Sequence, residues 1–325
     1  MSSVVRLPHD ACPRPTEGTA VTIGTYDGVH RGHRAVIAEL RRRAAERGLS
    51  TAVVTFDRHP AEVLRPDRVP RQLTDHAQEV ELLASTGVDR VVVLTFDEAR
   101  SKEPADEFVR EVLVECLNVK LVIVGDDFHF GHERKGNVAL LTSMGAELGF
   151  EVEGLDLVGA DGAPAEGPDR VSSTAIRRAL DAGDLAVANE MLGRPHEVRG
   201  VVGHGDHRGR EWGFPTANVA VPELAQLPAD GIYAVWFVRP GGSVHPGAAS
   251  LGRRPTLYDD QPYRLLEVHL LDGVDYDLYD EAVAVRFVER LRGEERFDDV
   301  GALVDQIGLD CELARASLAN EGGGS

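Results

Sequence analysis

The first half of the chain alternates short apolar runs with stretches of helical periodicity. The apolar runs are rich in β-branched residues and lie at 20–25, 51–56, 90–96, 120–125 and 150–158. The helical patterns between them lie near 32–47, 75–85, 104–117 and 137–148. Repeated strand–helix–strand units with continuous apolar strands are typical of a parallel sheet that is covered by helices on both faces. We therefore predict a doubly wound α/β domain, which binds its ligands at the carboxyl ends of the strands.

A different pattern begins after Pro195, which ends a helical stretch at 174–192. Short strand candidates separated by turns rich in Gly, Pro and Asp follow at 198–202, 232–238, 265–271 and 282–288. Strands without intervening helices favour a small antiparallel barrel. Two helical patterns, at 300–307 and 311–318, close the chain. We therefore predict two domains, residues 1–195 and 196–325.

Composition excludes several classes of partner. The 325 residues carry a formal net charge of -19, which repels a phosphate backbone, so we expect no nucleic-acid partner. No apolar run is long enough to span a bilayer, and the N-terminus lacks a secretory signal, so we expect a cytoplasmic protein without a membrane partner. The number of subunits is left open, and a homo-oligomer is one alternative.

The three cysteines, Cys12, Cys116 and Cys311, are far apart and form no CxxC motif. An odd number at such spacings argues against a disulfide framework and against a zinc ribbon. Cys116 lies in the apolar string VLVECLNV, and we predict that it is a small buried residue.

The string GTYDGVHRGHR follows a predicted strand and opens a predicted helix. His30 and His33 are three residues apart, and Gly28 and Gly32 allow tight turns and a close approach of the backbone to a ligand. Two imidazoles and a helix N-terminus can therefore face one anion, such as a phosphate that gains charge during transfer. The alternative is a glycine-rich turn with two surface histidines, because short motifs also match by chance.

A second string, RVSSTAIRR, also opens a predicted helix. Ser172, Ser173 and Thr174 can cap this helix, and Arg177 follows one turn later. Hydroxyls, backbone N–H groups and the guanidinium fork together suit a triphosphate. The alternative is an N-cap with no further role.

The third string, GVVGHGDHRGREWGFPTAN, lies at 200–218 in the predicted barrel. Its glycines can wrap a loop around phosphates, and its arginines add positive charge. Thr216 and Asn218 point to the same face of a strand, and their oxygens suit Mg²⁺. The alternative is a glycine-rich barrel corner with a polar turn.

These strings resemble known families. HxGH together with SSTxxR resembles the nucleotidylyltransferase superfamily, and GTYDGVHRGH, TFDRHP, VGDDFHFG and VSSTAIR resemble the FAD synthetase module of prokaryotic bifunctional riboflavin kinase/FAD synthetases. GFPTAN, DGIYAV, LGRRPT and LEVHLLD resemble the riboflavin kinase module. The resemblance covers nearly the whole chain. It implies a nucleotidylyltransferase-like α/β domain and a riboflavin kinase-like barrel with terminal helices.

The resemblance also implies the reactions and ligands. Riboflavin would be phosphorylated to FMN, and FMN would be adenylylated to FAD with release of pyrophosphate. ATP would be the co-substrate and Mg²⁺ the cofactor, so riboflavin, FMN, FAD and ATP are the expected ligands. The riboflavin hydroxyl is a weak nucleophile and needs a positioned base. The FMN phosphate, with a second pKa of about 6, is already an anion, so it needs hydrogen-bond donors that offset the repulsion between the two reacting phosphates.

Site residues follow by the same resemblance. His30 and His33 would contact the ATP phosphates as catalytic residues, and Glu267 would be the base that activates riboflavin; a strand glutamate facing solvent is its alternative. The N-terminal nucleotide would be bound by Gly24, Asp27, Gly28, Ser173, Thr174 and Arg177. The flavin would lie against Asp57, Asp127, Phe128 and Arg170. The second ATP would be bound by Gly203, Gly205, Arg208, Gly209, Thr216 and Asn218, of which the last two would hold Mg²⁺.

This chain departs from the usual family pattern at several positions. Tyr26 stands where the family usually has Phe, Arg58 where it usually has Pro, and Asp280 where Gly is common. Asp tolerates a left-handed backbone less well than Gly, by roughly 1 kcal/mol. The Arg58 departure leaves two alternatives open for the N-terminal module: CTP in place of ATP as the nucleotide, or another phosphorylated molecule in place of FMN as the acceptor. A single active module and a non-catalytic flavin-binding regulator are the others, although a regulator would not need a base.

Overall fold

The computed structural model describes residues 2–155, 171–204, 213–253, 264–272, 277–297 and 299–321. The chain divides into two compact units, Met1–Ser173 and Thr174–Ser325. None of the helices in these described ranges has both the length and the apolar composition needed to cross a bilayer.

The first unit is built on a parallel sheet. Its strands are β1 (Ser3–Leu7), β2 (Thr19–Ile23), β3 (Ser50–Phe56), β4 (Arg90–Leu94), β5 (Val119–Gly125) and β8 (Glu151–Leu155). They lie in the order β1–β4–β3–β2–β5–β8, and a short antiparallel hairpin, β6 (His129–Phe130) and β7 (Gly136–Asn137), stands apart. The predicted doubly wound class is confirmed.

Helices cover both faces of this sheet. They are α1 (Arg31–Arg47), α2 (Ala61–Leu64), α3 (His76–Ala84), α4 (Glu98–Ser101), α5 (Ala105–Phe108), which continues as a π-helix (Val109–Cys116), and α6 (Val138–Leu148). Side chains alternate across the strands. Val53 therefore packs with Ile37 of α1 and Val80 of α3, whereas its neighbour Val54 packs on the other face, with the π-helix and α6.

Two features of this unit were not predicted. Strand β1 lies at the sheet edge and pairs with β4. The argument against a disulfide was wrong, because Cys12 is bonded to Cys116 with 4.9 Å between the Cα atoms. Cys116 is buried as predicted. The fold brings together residues 104 positions apart, and no spacing within the sequence reveals such a pair.

The second unit contains a closed antiparallel barrel, as predicted. Its strands are β9 (His196–Gly203), β10 (Thr216–Ala220), β11 (Gly231–Val238), β12 (Val244–Arg253), β13 (Arg264–Leu270) and β14 (Ala282–Arg292). They close in the order β10–β13–β12–β11–β14–β9. Inward side chains such as Ala217, Val219, Leu266 and Val268 are buried.

The helices of this unit correct two predictions. The stretch predicted as one helix at 174–192 is two helices, α7 (Ser173–Ala182) and α8 (Leu185–Leu192), because Gly183 is left-handed (φ 77°) and Asp184 caps α8. The two patterns predicted at 300–307 and 311–318 form one helix, α9 (Val300–Glu321).

Candidate active sites

The loop between β2 and α1 brings the two predicted histidines together. His30 is the N-cap of α1, and its Nδ1 accepts a hydrogen bond from the His33 backbone N–H (3.3 Å). The imidazole rings are stacked, with centroids 3.6 Å apart and an interplanar angle of 18°. A Cβ at Gly32 would lie 3.2 Å from the His30 ring, so a glycine suits this close approach. Both rings therefore lie at a helix N-terminus, where an anion is stabilised.

The His33 side chain is held in its neutral form. Burial lowers its pKa well below the usual value, and the neighbouring His30 lowers it further. Its Nδ1 atom is buried and, within the described part of the chain, has no hydrogen-bond partner. An unsatisfied buried polar atom costs about 1–3 kcal/mol and is a feature of functional sites. A phosphate nearby would favour the protonated, donating form of these rings.

Asp27 fixes this loop from beneath. Its Oδ1 accepts hydrogen bonds from the backbone N–H groups of Leu73 (2.8 Å) and Thr74 (3.2 Å). The Thr74 hydroxyl in turn accepts from the N–H of Gly28, whose φ is 86°. These contacts of Asp27 hold the loop in place, and its predicted role in nucleotide binding stays a prediction.

The other residues predicted to bind this nucleotide lie partly in the first unit and partly in helix α7 of the second. The Ser173 hydroxyl, at the end of the first unit, donates to the Asp27 carbonyl oxygen (2.8 Å). The Gly24 N–H donates to the Val54 carbonyl oxygen (3.1 Å), so Gly24 continues the sheet. Thr174 and Arg177 lie in the first two turns of α7, within the second compact unit.

The predicted flavin residues follow β3 and β5. Asp57 accepts a hydrogen bond from the Phe96 N–H (2.9 Å) and pairs with Arg58 at 3.4 Å. Asp127 is exposed, and the Phe128 ring is stacked on Phe130 with centroids 5.4 Å apart. Carboxyl ends of parallel strands meet at one edge of a sheet, so these residues share the ligand-binding edge. Arg170 lies outside the described residues.

Sequence reasoning missed two features of this edge. An open cleft of about 610 Å³ lies beyond the carboxyl ends of β1 and β4, and its lining includes His9, Thr95, Asp97 and Arg100. Glu79 on α3 is buried, and its Oε1 accepts a hydrogen bond from the Thr55 hydroxyl (2.6 Å). The cleft could have been anticipated, because it lies directly after the predicted strand β4. The buried Glu79 could not, because nothing in the sequence distinguishes it from other helix glutamates.

The barrel brings together the predicted kinase residues that the structure describes. Asn218 on β10 lies opposite Glu267 on β13 and opposite Gly203 on β9. Directly opposite residues share a face of the sheet, and Thr216 shares it by its spacing of two. Because their neighbours Ala217, Val219, Leu266 and Val268 fill the barrel interior, this face is the outer one. Gly205, Arg208 and Gly209 lie outside the described residues.

This outer face fits a hard cation. The Thr216 hydroxyl, the Asn218 amide and the Glu267 carboxylate are oxygen donors of the kind that Mg²⁺ prefers. Within the described ranges, no group of three or more His, Cys, Asp or Glu side chains could hold a metal by itself. A cation here would therefore share its coordination with nucleotide phosphates and water.

The fold and the two sites define a class of two-domain enzymes in which an α/β anion-binding domain precedes a barrel with an outward carboxylate. A family model described as FAD synthetase matches residues 12–175, and one described as riboflavin kinase matches residues 192–318. The chain belongs to the family of bifunctional riboflavin kinase/FMN adenylyltransferases. The matches leave 176–191 between them, and the predicted boundary at residue 195 stays a prediction.

Individual relatives span nearly the whole chain. The bifunctional riboflavin kinase/FMN adenylyltransferase of Pseudomonas fluorescens is 42% identical over 316 residues, covering 97% of this chain and 98% of the relative. That of Escherichia coli K12 is 39% identical over 312 residues and 96% of each chain. A crystal structure described as a macrolide-efflux protein from Streptococcus pneumoniae has the same fold, with a TM-score of 0.82, 29% identity and coverage of 96% of this chain and 98% of that one.

Proposed function

We propose that this chain phosphorylates riboflavin to FMN with ATP and then adenylylates FMN to FAD with release of pyrophosphate. The observation that carries the proposal is that two sets of reactive side chains lie in two separate units, and each unit matches the family model for one of the reactions.

In the adenylyl transfer, the FMN phosphate is itself the nucleophile. It is an anion at neutral pH and attacks the α-phosphate of ATP, from which pyrophosphate leaves. His30 and His33 at the N-terminus of α1 donate hydrogen bonds to the charge that develops on the phosphates. Ser173, which belongs to the same unit, would add a hydroxyl to the triphosphate site.

In the kinase reaction, Glu267 accepts the proton of the riboflavin hydroxyl as that oxygen attacks the γ-phosphate of ATP. Thr216 and Asn218, on the same outer face, would hold Mg²⁺. When bound, the cation neutralises charge on the transferred phosphoryl group. ADP is the second product.

The proposal extends to location and partners. We place the enzyme in the cytoplasm, where ATP is available, and assign it small-molecule ligands without a nucleic-acid or membrane partner, in keeping with the net charge of -19. The Cys12–Cys116 disulfide does not favour this location, because disulfides are rare in reducing compartments.

Chromatography of flavins tests the function directly. Riboflavin incubated with ATP and Mg²⁺ is expected to yield FMN first and FAD later. Replacing ATP by CTP should give no flavin dinucleotide from added FMN, and chelation of Mg²⁺ should stop both reactions. The absence of any new flavin would contradict the whole proposal, whereas FMN without FAD would contradict only its N-terminal half.

A further inference from the structure

A buried polar cluster lies beneath the loop that carries the histidine pair. Its members are less than 9% exposed and comprise Thr22, Tyr26, Asp27, Thr55, Thr74 and Glu79. Such a cluster in the interior of an α/β domain is costly unless its polar groups pair with one another. Of its two carboxyl groups, Asp27 is predicted to bind the nucleotide, whereas Glu79 has been given no part in either reaction.

The cluster connects Glu79 to the phosphate site. Asp27 holds Leu73 and Thr74, the residues that lead into α3, and Glu79 lies on the inner face of that helix. Tyr26 donates to the Thr22 hydroxyl (2.9 Å) and packs edge-on against His33, with ring centroids 5.1 Å apart. Both Asp27 and Tyr26 are close enough to Glu79 to interact with it electrostatically.

Two neighbouring buried carboxyl groups cannot both ionise cheaply. Asp27 accepts two backbone N–H hydrogen bonds, an arrangement that suits a carboxylate. Burial raises the pKa of Glu79 to about 8, the Thr55 hydrogen bond opposes this rise, and the charge of Asp27 adds to it. At neutral pH, Glu79 therefore carries a proton beside Asp27.

We propose that Glu79 is a positioning residue for adenylyl transfer, whose proton keeps a second negative charge out of the floor of the phosphate site. The inference rests on the proposed function of the N-terminal domain. Loss of this proton would place an anion beside Asp27 and beneath Tyr26 and His33. That anion would repel the phosphates of ATP and FMN and would weaken the contacts that hold the loop.

Among the described residues, the titratable groups that interact with Glu79 are Asp27 and Tyr26, both from the loop before α1. Strand β3 contributes the neutral Thr55 hydroxyl.

The pH profile of adenylyl transfer tests this inference. The kcat and KM for FMN are measured from pH 6.5 to 9.5 for the unaltered chain, for Glu79→Gln and for the matched control Glu81→Gln, an exposed position on the same helix. For the unaltered chain and the control, we expect kcat/KM to fall about tenfold as the pH rises, mainly because KM increases. This is the size of effect expected for a charge–charge interaction over roughly 10 Å of protein. For Glu79→Gln, which keeps an acceptor for Thr55 without a charge, this fall should be absent.

Circular dichroism and thermal unfolding of the same preparations show whether the altered N-terminal unit is folded, and riboflavin phosphorylation shows that the second unit is intact. Identical pH profiles for all three proteins, with kinase activity intact, would overturn the inference while leaving the proposed function in place. Failure of the unaltered chain to make FAD from FMN at any pH would instead contradict the proposed function.

A second variant keeps the test decisive if Glu79→Gln does not fold. Thr55→Val removes the hydroxyl that donates to Glu79 and leaves the carboxyl group intact. Because that hydrogen bond favours the charged form, its loss should raise the pKa of Glu79 and move the fall in kcat/KM to higher pH. An unchanged or lowered midpoint would overturn the inference.

Discussion

At the scale of single residues, Asp280 adopts a left-handed backbone conformation (φ 62°) in the turn before β14. Its N–H donates to the Val202 carbonyl oxygen (2.9 Å), which fixes the turn to β9. A Cβ is crowded in this conformation, whereas glycine adopts it freely. The aspartate is therefore a local cost to the stability of the barrel.

We expect Asp280→Gly to raise the free energy of unfolding of the kinase domain by up to about 1 kcal/mol, because the strain outweighs the extra entropy of an unfolded glycine. Urea denaturation measures the change. Asp277→Gly is the control, since Asp277 is exposed near the same turn and lacks a positive φ; it should leave stability unchanged or lower it. A loss of stability in Asp280→Gly equal to that of the control would contradict this account.

Residues differ in how far the sequence reveals their roles. The histidine pair was predictable, because a spacing of three across a strand–turn–helix junction places both rings at a helix start. Glu79 was not, because a glutamate in a helix normally faces solvent. Its burial depends on which face of α3 packs on the sheet, where Val80 and Leu83 lie nearby in the core.

At the scale of elements, the connector between β1 and β2 is fixed to the end of the π-helix. The Cys12–Cys116 disulfide joins them, the Arg14 N–H donates to the Cys116 carbonyl oxygen (2.9 Å), and Asn118 Nδ2 donates to the Pro15 carbonyl oxygen (2.7 Å). The connector thus ties the edge strand β1 to the helical layer. These contacts join residues about a hundred positions apart, and local pattern therefore gave no sign of them.

We expect Cys12→Ser to lower the free energy of unfolding of the N-terminal domain by about 2–4 kcal/mol, because a long loop is no longer closed in the unfolded chain. Thermal unfolding with and without a dithiol reductant measures this. The reductant should destabilise the unaltered chain and have no further effect on Cys12→Ser. An unaltered chain that is insensitive to reductant, with the bond shown to be reduced, would contradict the prediction.

Helix α9 shows why element boundaries were harder to predict than element types. The sequence pattern predicted two helices, at 300–307 and 311–318. Instead, the buried Asp310 accepts two hydrogen bonds from Arg292 of β14 (2.9 and 2.7 Å) and one from Gln306 (3.0 Å), which holds the helix continuous. This ion pair supports the helix through a partner that lies 18 residues away in the sequence.

At the scale of the whole molecule, the chain separates two phosphate chemistries that need different groups. In the mechanism that we propose, a donor-rich helix start serves a nucleophile that is already charged, and a strand carboxylate serves one that must lose a proton. The fold class of each half followed from periodicity. The helices α7 and α8 were harder to assign, because Asn189 of α8 binds the backbone of β9 and β14 through contacts that local sequence does not reveal.

Paired variants test the central claim, that two separate sites perform two separate reactions. Glu267→Gln should slow FMN formation by about a hundredfold to ten-thousandfold and leave FAD formation from added FMN intact. His33→Ala should slow FAD formation by about a hundredfold or more and leave FMN formation intact. Glu289→Gln, an exposed barrel glutamate, is the control and should retain both.

The measurement is chromatography of the flavins that each variant makes from riboflavin and from FMN. The account predicts opposite single losses in Glu267→Gln and His33→Ala. A folded variant in which either single change stops both reactions would contradict it.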